Sequence, residues 1–289
     1  MATSLTSPAL AFSTDKAIIA ARKALAKVSL FATDFSNEAV QPGTTMKVPV
    51  FTPGTATAFN ASSNNYEKAD GTVTYADVLF DKHVKNTFAF SDTDFTLVNG
   101  TTFWANAGKA SGTAISKAIA AAVGDKIAAT SVASTLASVT KDTAAALRKV
   151  CAEHDVDPST CVILLSPDYF AQLLAKLDAN IYGGAEAIKL GIIDGLYGFK
   201  AVVESSDLGS NVGAIVPEDA LVVAGRVVPV MSPAVYEEVG QTADEVSGLV
   251  IGVRRHGNPA TGGNFCTHEA LFGAALVQPT KVIKLTKGS

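Results

Sequence analysis

The sequence predicts an α+β fold, and three observations carry that expectation. Two strand-like runs of alternating residues flank a polar stretch over about 52–71. A long alanine-rich helix is expected over about 109–134. Beyond it, one apolar strand–helix step leads into a series of further strands.

Composition sets the frame. The chain has 289 residues, 48% of them hydrophobic and 17% charged, with a formal net charge of −4. A disordered chain carries more charge and less apolar surface, so this one buries a sizeable core. Its mean hydropathy of +0.27 is high, and alanine, at roughly one residue in six, accounts for much of that. No apolar run reaches the length of a membrane span, and Met1 to Phe12 lacks the basic start of a secretory signal. The expectation is a chain without a membrane partner that stays in the cytoplasm where it is made. The acidic balance offers no electrostatic footprint for nucleic acid. An aromatic content of 7% argues against a base- or sugar-stacking surface.

The elements follow in order. The first forty residues read as an arm, with a helix over Asp15 to Lys27 whose stripe (Ile18, Ile19, Arg22, Leu25 and Ala26) is expected to pack on a partner subunit. After the Pro42–Gly43 turn, Met46, Val48 and Val50 alternate with polar positions as a half-exposed strand. Asp70–Gly71 turns the chain back. Val73 and Tyr75 then alternate out of phase with Val78 and Phe80, as a bulge would leave them. The pair reads as a long projecting hairpin. A strand over Val84 to Phe90 ends in the polar cluster at Ser91 to Asp94. In the long helix, Ile115, Ile119, Val123 and Ile127 recur every four residues on one face. A shorter helix spans Asp142 to His154. Cys161 to Leu165 reads as a strand buried on both faces, and Ser166–Pro167 opens a helix to Leu177. Glycines 183, 184, 191, 195 and 198 mark a turning loop. Strands are expected at Phe199 to Val203, Ala220 to Val230, Leu249 to Arg255, Leu271 to Val277 and Lys281 to Leu285.

Catalytic signatures are missing. No dinucleotide, P-loop, nucleophile-elbow or zincin motif occurs in the sequence. Cys151, His154 and Cys161 form one cysteine–histidine cluster, and Cys266 with His268 forms another. Neither supplies the four ligands of a zinc site, so buried thiols are expected, with no catalytic, cofactor-binding or metal residue. Arg254, Arg255 and His256 read as a charged strand end or subunit contact rather than a DNA site. The glycine run lacks the lysine and following helix of a phosphate cradle.

Several phrases, taken in order, resemble the major capsid proteins of tailed bacteriophages, the Hong Kong 97-type fold. They are GTTMKVPV from Gly43, VLFDKHVK from Val78, the alanine-rich helix, VILLSPDYFAQLL from Val162, IIDGLYGFKAVVESS from Ile192 and EALFGAALVQP from Glu269. The resemblance implies an N-terminal arm (1–43), an extended E-loop hairpin (44–84) and a P-domain with spine helix (85–137). An A-domain (138–235) and C-terminal strands returning to the P-domain (236–289) complete it. It implies a structural, non-enzymatic coat protein whose pentamers and hexamers close an icosahedral shell around double-stranded DNA, first in the host cytoplasm and then in the virion capsid. DNA would be held by weak, non-specific contact. Only the arm precedes the hairpin, so a separate scaffolding protein is expected, with a portal and a decoration protein as further partners.

Some relatives cross-link a hairpin lysine to a neighbour's asparagine beside a glutamate base. Lys47 or Lys68, Asn258 or Asn264, and Glu269 are the parts present here, and no cross-link is expected, because the surroundings of the asparagines read as a wet turn. Two other readings stay open: an encapsulin-like nanocompartment shell, and a soluble α+β enzyme.

Overall fold

The computed structural model describes residues 8–34, 45–52, 54, 71–91, 100–139, 143–176, 191–226, 228, 236–244, 249–258 and 263–288. The hairpin tip at 55–69 with Lys68, the cluster at 92–94, and Gly183 and Gly184 lie outside them.

Helix α1 (Pro8–Leu25) opens on a proline, whose missing N–H costs nothing in the first turn. The short strand β1 (Ala32–Asp34) follows, then β2 (Met46–Thr52), β3 (Thr72–Val78) and β4 (Lys82–Ser91). The long helix α2 (Gly100–Ala128) leads to β5 (Ala133–Leu136), α3 (Thr143–Glu153), β6 (Cys161–Leu165) and α4 (Pro167–Leu174). Strands complete the chain: β7 (Ile192–Asp194), β8 (Ala201–Glu204), β9 (Gly213–Pro217), β10 (Leu221–Arg226), β11 (Glu238–Ala243), β12 (Val250–Asn258), β13 (Gly263–Leu276) and β14 (Ile283–Lys287).

Two six-stranded sheets organise these elements. The first is ordered β1-β10-β13-β12-β11, with β4 also paired to β13. Its shared strand, β13, meets β4 through residues 263–272, β12 through 263–269 and β10 through 271–276. The second sheet is ordered β5-β14-β9-β6-β8-β7. Its strand β6 is buried at every residue, as its continuous apolar run requires. One face packs α3 and α4 through Leu147, Tyr169, Phe170 and Leu173. The other packs Val162, Leu164 and Val203 against Val123 and Ile127 of α2 and Leu221 of β10. Helix α2 therefore belongs to both halves of the core.

The division by segment differs from expectation in two places. Strand β10, expected with the A-domain, pairs β13 in the first sheet. Strand β14, expected to return to the P-domain, instead joins β9 and β5 in the second. Neither neighbour is close in sequence, so a strand's own pattern does not reveal its sheet.

The arm is also corrected. Helix α1 is docked on its own chain: Ala17, Ile18, Ala21 and Leu25 pack with Ile115 and Ile119 of α2 and with Leu249, Ile251 and Phe272. The two helices approach so closely at Gly112 that a Cβ there would stand 2.1 Å from the Ala17 carbonyl oxygen. Ile18 and Leu25 of the expected stripe are thus covered within the chain, small residues at Ala17, Ala21 and Gly112 let the helices approach, and Ile19 stays exposed.

Helix α2 begins at Gly100 rather than Lys109. Residues 100–108 include Gly100, Thr102 and Asn106, which are poor helix formers, but Trp104 packs edge-on against Phe90 and Phe103 and holds the turn. The helix ends at Ala128, before the expected Ser134. The Thr130 hydroxyl donates to the carbonyls of Pro279 and Val282, each at 2.9 Å, and the chain leaves as β5.

Candidate assembly surface

Strands β2 and β3 form an antiparallel ribbon in unbroken register from Met46 opposite Val78 to Thr52 opposite Thr72. The expected bulge is absent from this register. The phase change in the sequence has a different cause, which is that the two apolar sets lie on opposite faces. Met46, Val48 and Val78 are buried on one face against Val222 and Ala224 of β10. Val73 and Tyr75 share the other face with Pro49 and Phe51, as the alternation of side chains dictates. Phe51 is 71% exposed, Tyr75 64% and Val73 49%. The pair Lys47 opposite Asp77 completes this face at the root. Below the ribbon, the Leu79 carbonyl stands where only a glycine fits opposite it, since a Cβ on Gly273 would come within 2.3 Å.

The ribbon is thus anchored firmly at one end and apolar on its free face. A contiguous apolar strip at this exposure fits burial against another surface far better than standing in water.

The residues singled out by chemistry are distributed elsewhere. Cys151 and Cys161 lie in one core cluster beside α3 and β6, and Cys161 Sγ is 3.1 Å from the Asp157 carbonyl. Cys266 and His268 share the α2-facing side of β13 but not their neighbours. Cys266 lies among Phe90, Trp104 and Val253, and burial pushes its thiol up to about 12. His268 is fully buried, with Nε2 3.1 Å from Ser13 Oγ and Nδ1 3.0 Å from Ser111 Oγ. Burial lowers its pKa to about 4. Among the described residues, no group of three or more histidine, cysteine, aspartate or glutamate side chains is placed to hold a metal ion.

The basic strand end is occupied within the chain. Arg254 donates to Glu269 and, at 3.2 Å, to Tyr236 Oη, while Arg255 lies 3.4 Å from a Glu237 oxygen. His256 stacks on Phe265 with ring centroids 5.1 Å apart. Glu269 is buried and also meets His83 Nε2 at 3.0 Å. Of the cross-linking parts, Lys47 is exposed on the ribbon, and Asn258 and Asn264 lie in the β12–β13 pairing rather than in a loose turn. The glycine loop is structural where described: Arg148 Nη1 donates to Tyr197 O at 3.0 Å and fills the space that a Cβ on Gly198 would need.

The fold as a whole aligns with solved structures over most of the chain. Gordonia phage Cozz aligns at a TM-score of 0.58 and 14% identity, covering 91% of this chain and 86% of that one. The capsid of the cyanophage P-SCSP1u aligns at 0.56 and 14%, covering 90% and 87%. This chain has the Hong Kong 97-type capsid fold. A virus-like particle from Pyrococcus furiosus shares it at 0.54 and 12% identity, covering 94% of this chain and 97% of that one. No protein-family model and no curated protein matches the sequence. The ribbon of β2 and β3 occupies the place of the expected E-loop, and α2 that of the spine helix. What sequence reasoning missed was the outward apolar face, for which Phe51, Val73 and Tyr75 at alternate positions were the available signal.

Proposed function

We propose that this chain is the major capsid protein of a tailed, double-stranded DNA bacteriophage and assembles with its own copies into pentamers and hexamers of an icosahedral shell. The observation that carries this reading is the exposed apolar ribbon face on a fold whose aligned structures include a cyanophage capsid. Phe51, Val73 and Tyr75 leave most of their apolar surface in water in the monomer, whereas burial between subunits gains about 25 cal/mol for each Å² of apolar surface removed from water. The shell would be virion-bound, formed first in the host cytoplasm, with a scaffolding protein and a portal as partners in assembly. A net charge of −4 suits a wall that confines DNA without gripping it. The role is structural and involves no reaction of the chain's own.

Electron microscopy and light scattering on the purified protein, alone and co-expressed with its neighbouring reading frames, test this. Closed shells or capsomers support it, and a monomer that stays monomeric at high concentration with scaffold present overturns it. Particles filled with one protein cargo instead of DNA would point to a nanocompartment, a reading kept in view by the Pyrococcus furiosus particle.

A further inference from the structure

The net charge of −4 hides an uneven distribution. Helices α1 and α2 each carry a single acidic residue, Asp15 and Asp125, and their lysines fall in two rows. On α1, Lys16 and Lys23 lie two turns apart on one face, about 10 Å along the axis. On α2, Lys109 and Lys117 are separated by about 12 Å in the same way. The close crossing of the helices lays these rows side by side, since a Cβ on Gly108 or Gly112 would stand 2.1 Å from a carbonyl oxygen of α1. Between the rows runs a groove of about 480 Å³, walled by Lys16, Lys23 and Lys109 with the small Ala20, Ala24 and Thr113 between them. Ala24 also lines an adjoining cavity of about 370 Å³, to which Lys27 and Lys117 contribute.

Neighbouring cations are matched by carboxylates. Arg22 of α1 is held by Asp244, and Lys27 lies 3.5 Å from a Glu204 oxygen. Lys16, Lys23, Lys109 and Lys117 make no ion pair among the described residues. Lys16 Nζ stands instead 4.9 Å over the Phe12 ring, and the other three are exposed. Four unmatched ammonium groups along one groove and its extension hold counterions, which a polyanion releases on binding.

The lining of the groove selects the partner. Among the described residues it contains no arginine to pair a carboxylate or a guanine bidentately, no aromatic ring to stack an unpaired base, and no carboxylate to repel phosphate. Ile19, 56% exposed, offers one apolar contact, where a docked amphipathic helix needs several at three- and four-residue spacing. Lysine supplies a hydrated point charge on a flexible stem, which follows a phosphate backbone without reading sequence. We infer that the α1–α2 groove is a sequence-independent contact for the phosphate backbone of double-stranded DNA, made by Lys16, Lys23, Lys109 and Lys117. Glu204 and Asp207 in the adjoining cavity limit the contact at that end. That the duplex is a packaged genome rests on the shell reading above; the charge of the groove does not.

The test uses the full-length, unassembled chain and a fluorescein-labelled random-sequence duplex of about 30 bp, with anisotropy read from about 25 to 200 mM NaCl. Four phosphate contacts give a log–log salt slope of about −3.6. Lys23→Gln with Lys109→Gln should bring that slope to about −1.8 and weaken binding roughly tenfold at low salt. Lys149→Gln with Lys287→Gln, exposed lysines away from the groove, should leave binding within about twofold of the parent. In the parent, lysine acetylation mapped by mass spectrometry should fall several-fold at Lys23, Lys109 and Lys117 when duplex is added and stay constant at Lys149, which needs no variant to fold. No binding at low salt, a slope that the double variant leaves unchanged, protection confined to other lysines, or polyglutamate of matched charge binding more tightly than the duplex would each overturn the assignment, the last by giving the groove to an acidic protein segment. Electron microscopy of the same protein keeps the two readings apart. Closed shells without duplex binding sink the groove alone, and duplex binding by chains that never assemble leaves the groove standing without the shell.

Discussion

At the residue scale, His268 shows how the fold uses a buried polar group. A neutral imidazole donates from one nitrogen and accepts at the other, so Ser13 on α1 and Ser111 on α2 satisfy both edges and tie the two helices to β13. Asn86 Nδ2 donates to Ser111 Oγ at 3.3 Å, which extends the link to β4. Protonation would break this arrangement. The folded pKa of about 4 lies below the ordinary histidine value of 6.5, so between those limits the unfolded chain binds a proton that the folded one does not. Stability therefore falls as pH drops from 6.5 towards 4, by about 3 kcal/mol in all, and this contribution levels off below that range. Urea unfolding at pH 7 and pH 5 should show the loss, and His268→Gln should flatten it relative to the parent. A second residue-scale test concerns Gly112. The Gly112→Ala side chain meets the Ala17 carbonyl and must push α1 away, so it should cost about 3 kcal/mol in the same assay. An unchanged midpoint would mean that the helices separate freely.

At the scale of the element, the ribbon has two faces with opposite duties, and substitutions should sort by face. Met46→Ala removes a buried side chain from the root and should cost about 2–4 kcal/mol in thermal or urea unfolding. Phe51→Ser with Tyr75→Ser changes only exposed side chains. Circular dichroism and unfolding midpoint should stay within about 0.5 kcal/mol of the parent, while light scattering should show loss of assembly. A large fall in stability for the double variant would assign that face to the fold rather than to a neighbour. The same ribbon shows what was legible in the sequence. The four-residue recurrence of Ile115, Ile119, Val123 and Ile127 gave a buried helix face, and all four are buried. The apolar run at Cys161 to Leu165 gave a doubly covered strand with its bounds intact. Such elements carry their burial in their own periodicity. The docking of α1 does not, because Ser13, Ala17 and Gly112 signal a close crossing only once the two helices are side by side. The short strand β5 gains its hydrogen bonds from β14, far along the chain, and in β11, paired to the neighbouring β12, Gly240, Gln241 and Thr242 have no strand signature of their own.

At the scale of the whole molecule, the question is whether subunits that meet through the ribbon also become bonded to one another. An amide link from lysine to asparagine needs a neutral amine, hence a base able to take the ammonium proton in a dry pocket. Glu269 is the buried carboxylate in the expected place, but one oxygen is held by the Arg254 guanidinium and the other by His83. With both oxygens engaged inside the subunit, neither is open to an approaching ammonium. Asn264, which would be the acceptor, lies in the β12–β13–β4 pairing between Gly257 and Phe90, where the ladder constrains its backbone. Cross-linking would require Arg254 to release Glu269 and a neighbour's lysine to enter from the ribbon, and the proximity that accelerates such a reaction would be lost. Particles boiled in detergent under reducing conditions should therefore run as a single band near 29.7 kDa. A ladder of covalent oligomers that survives reduction and disappears in Glu269→Gln would show that assembly frees the carboxylate, and would make Arg254 the residue that guards it in the unassembled chain.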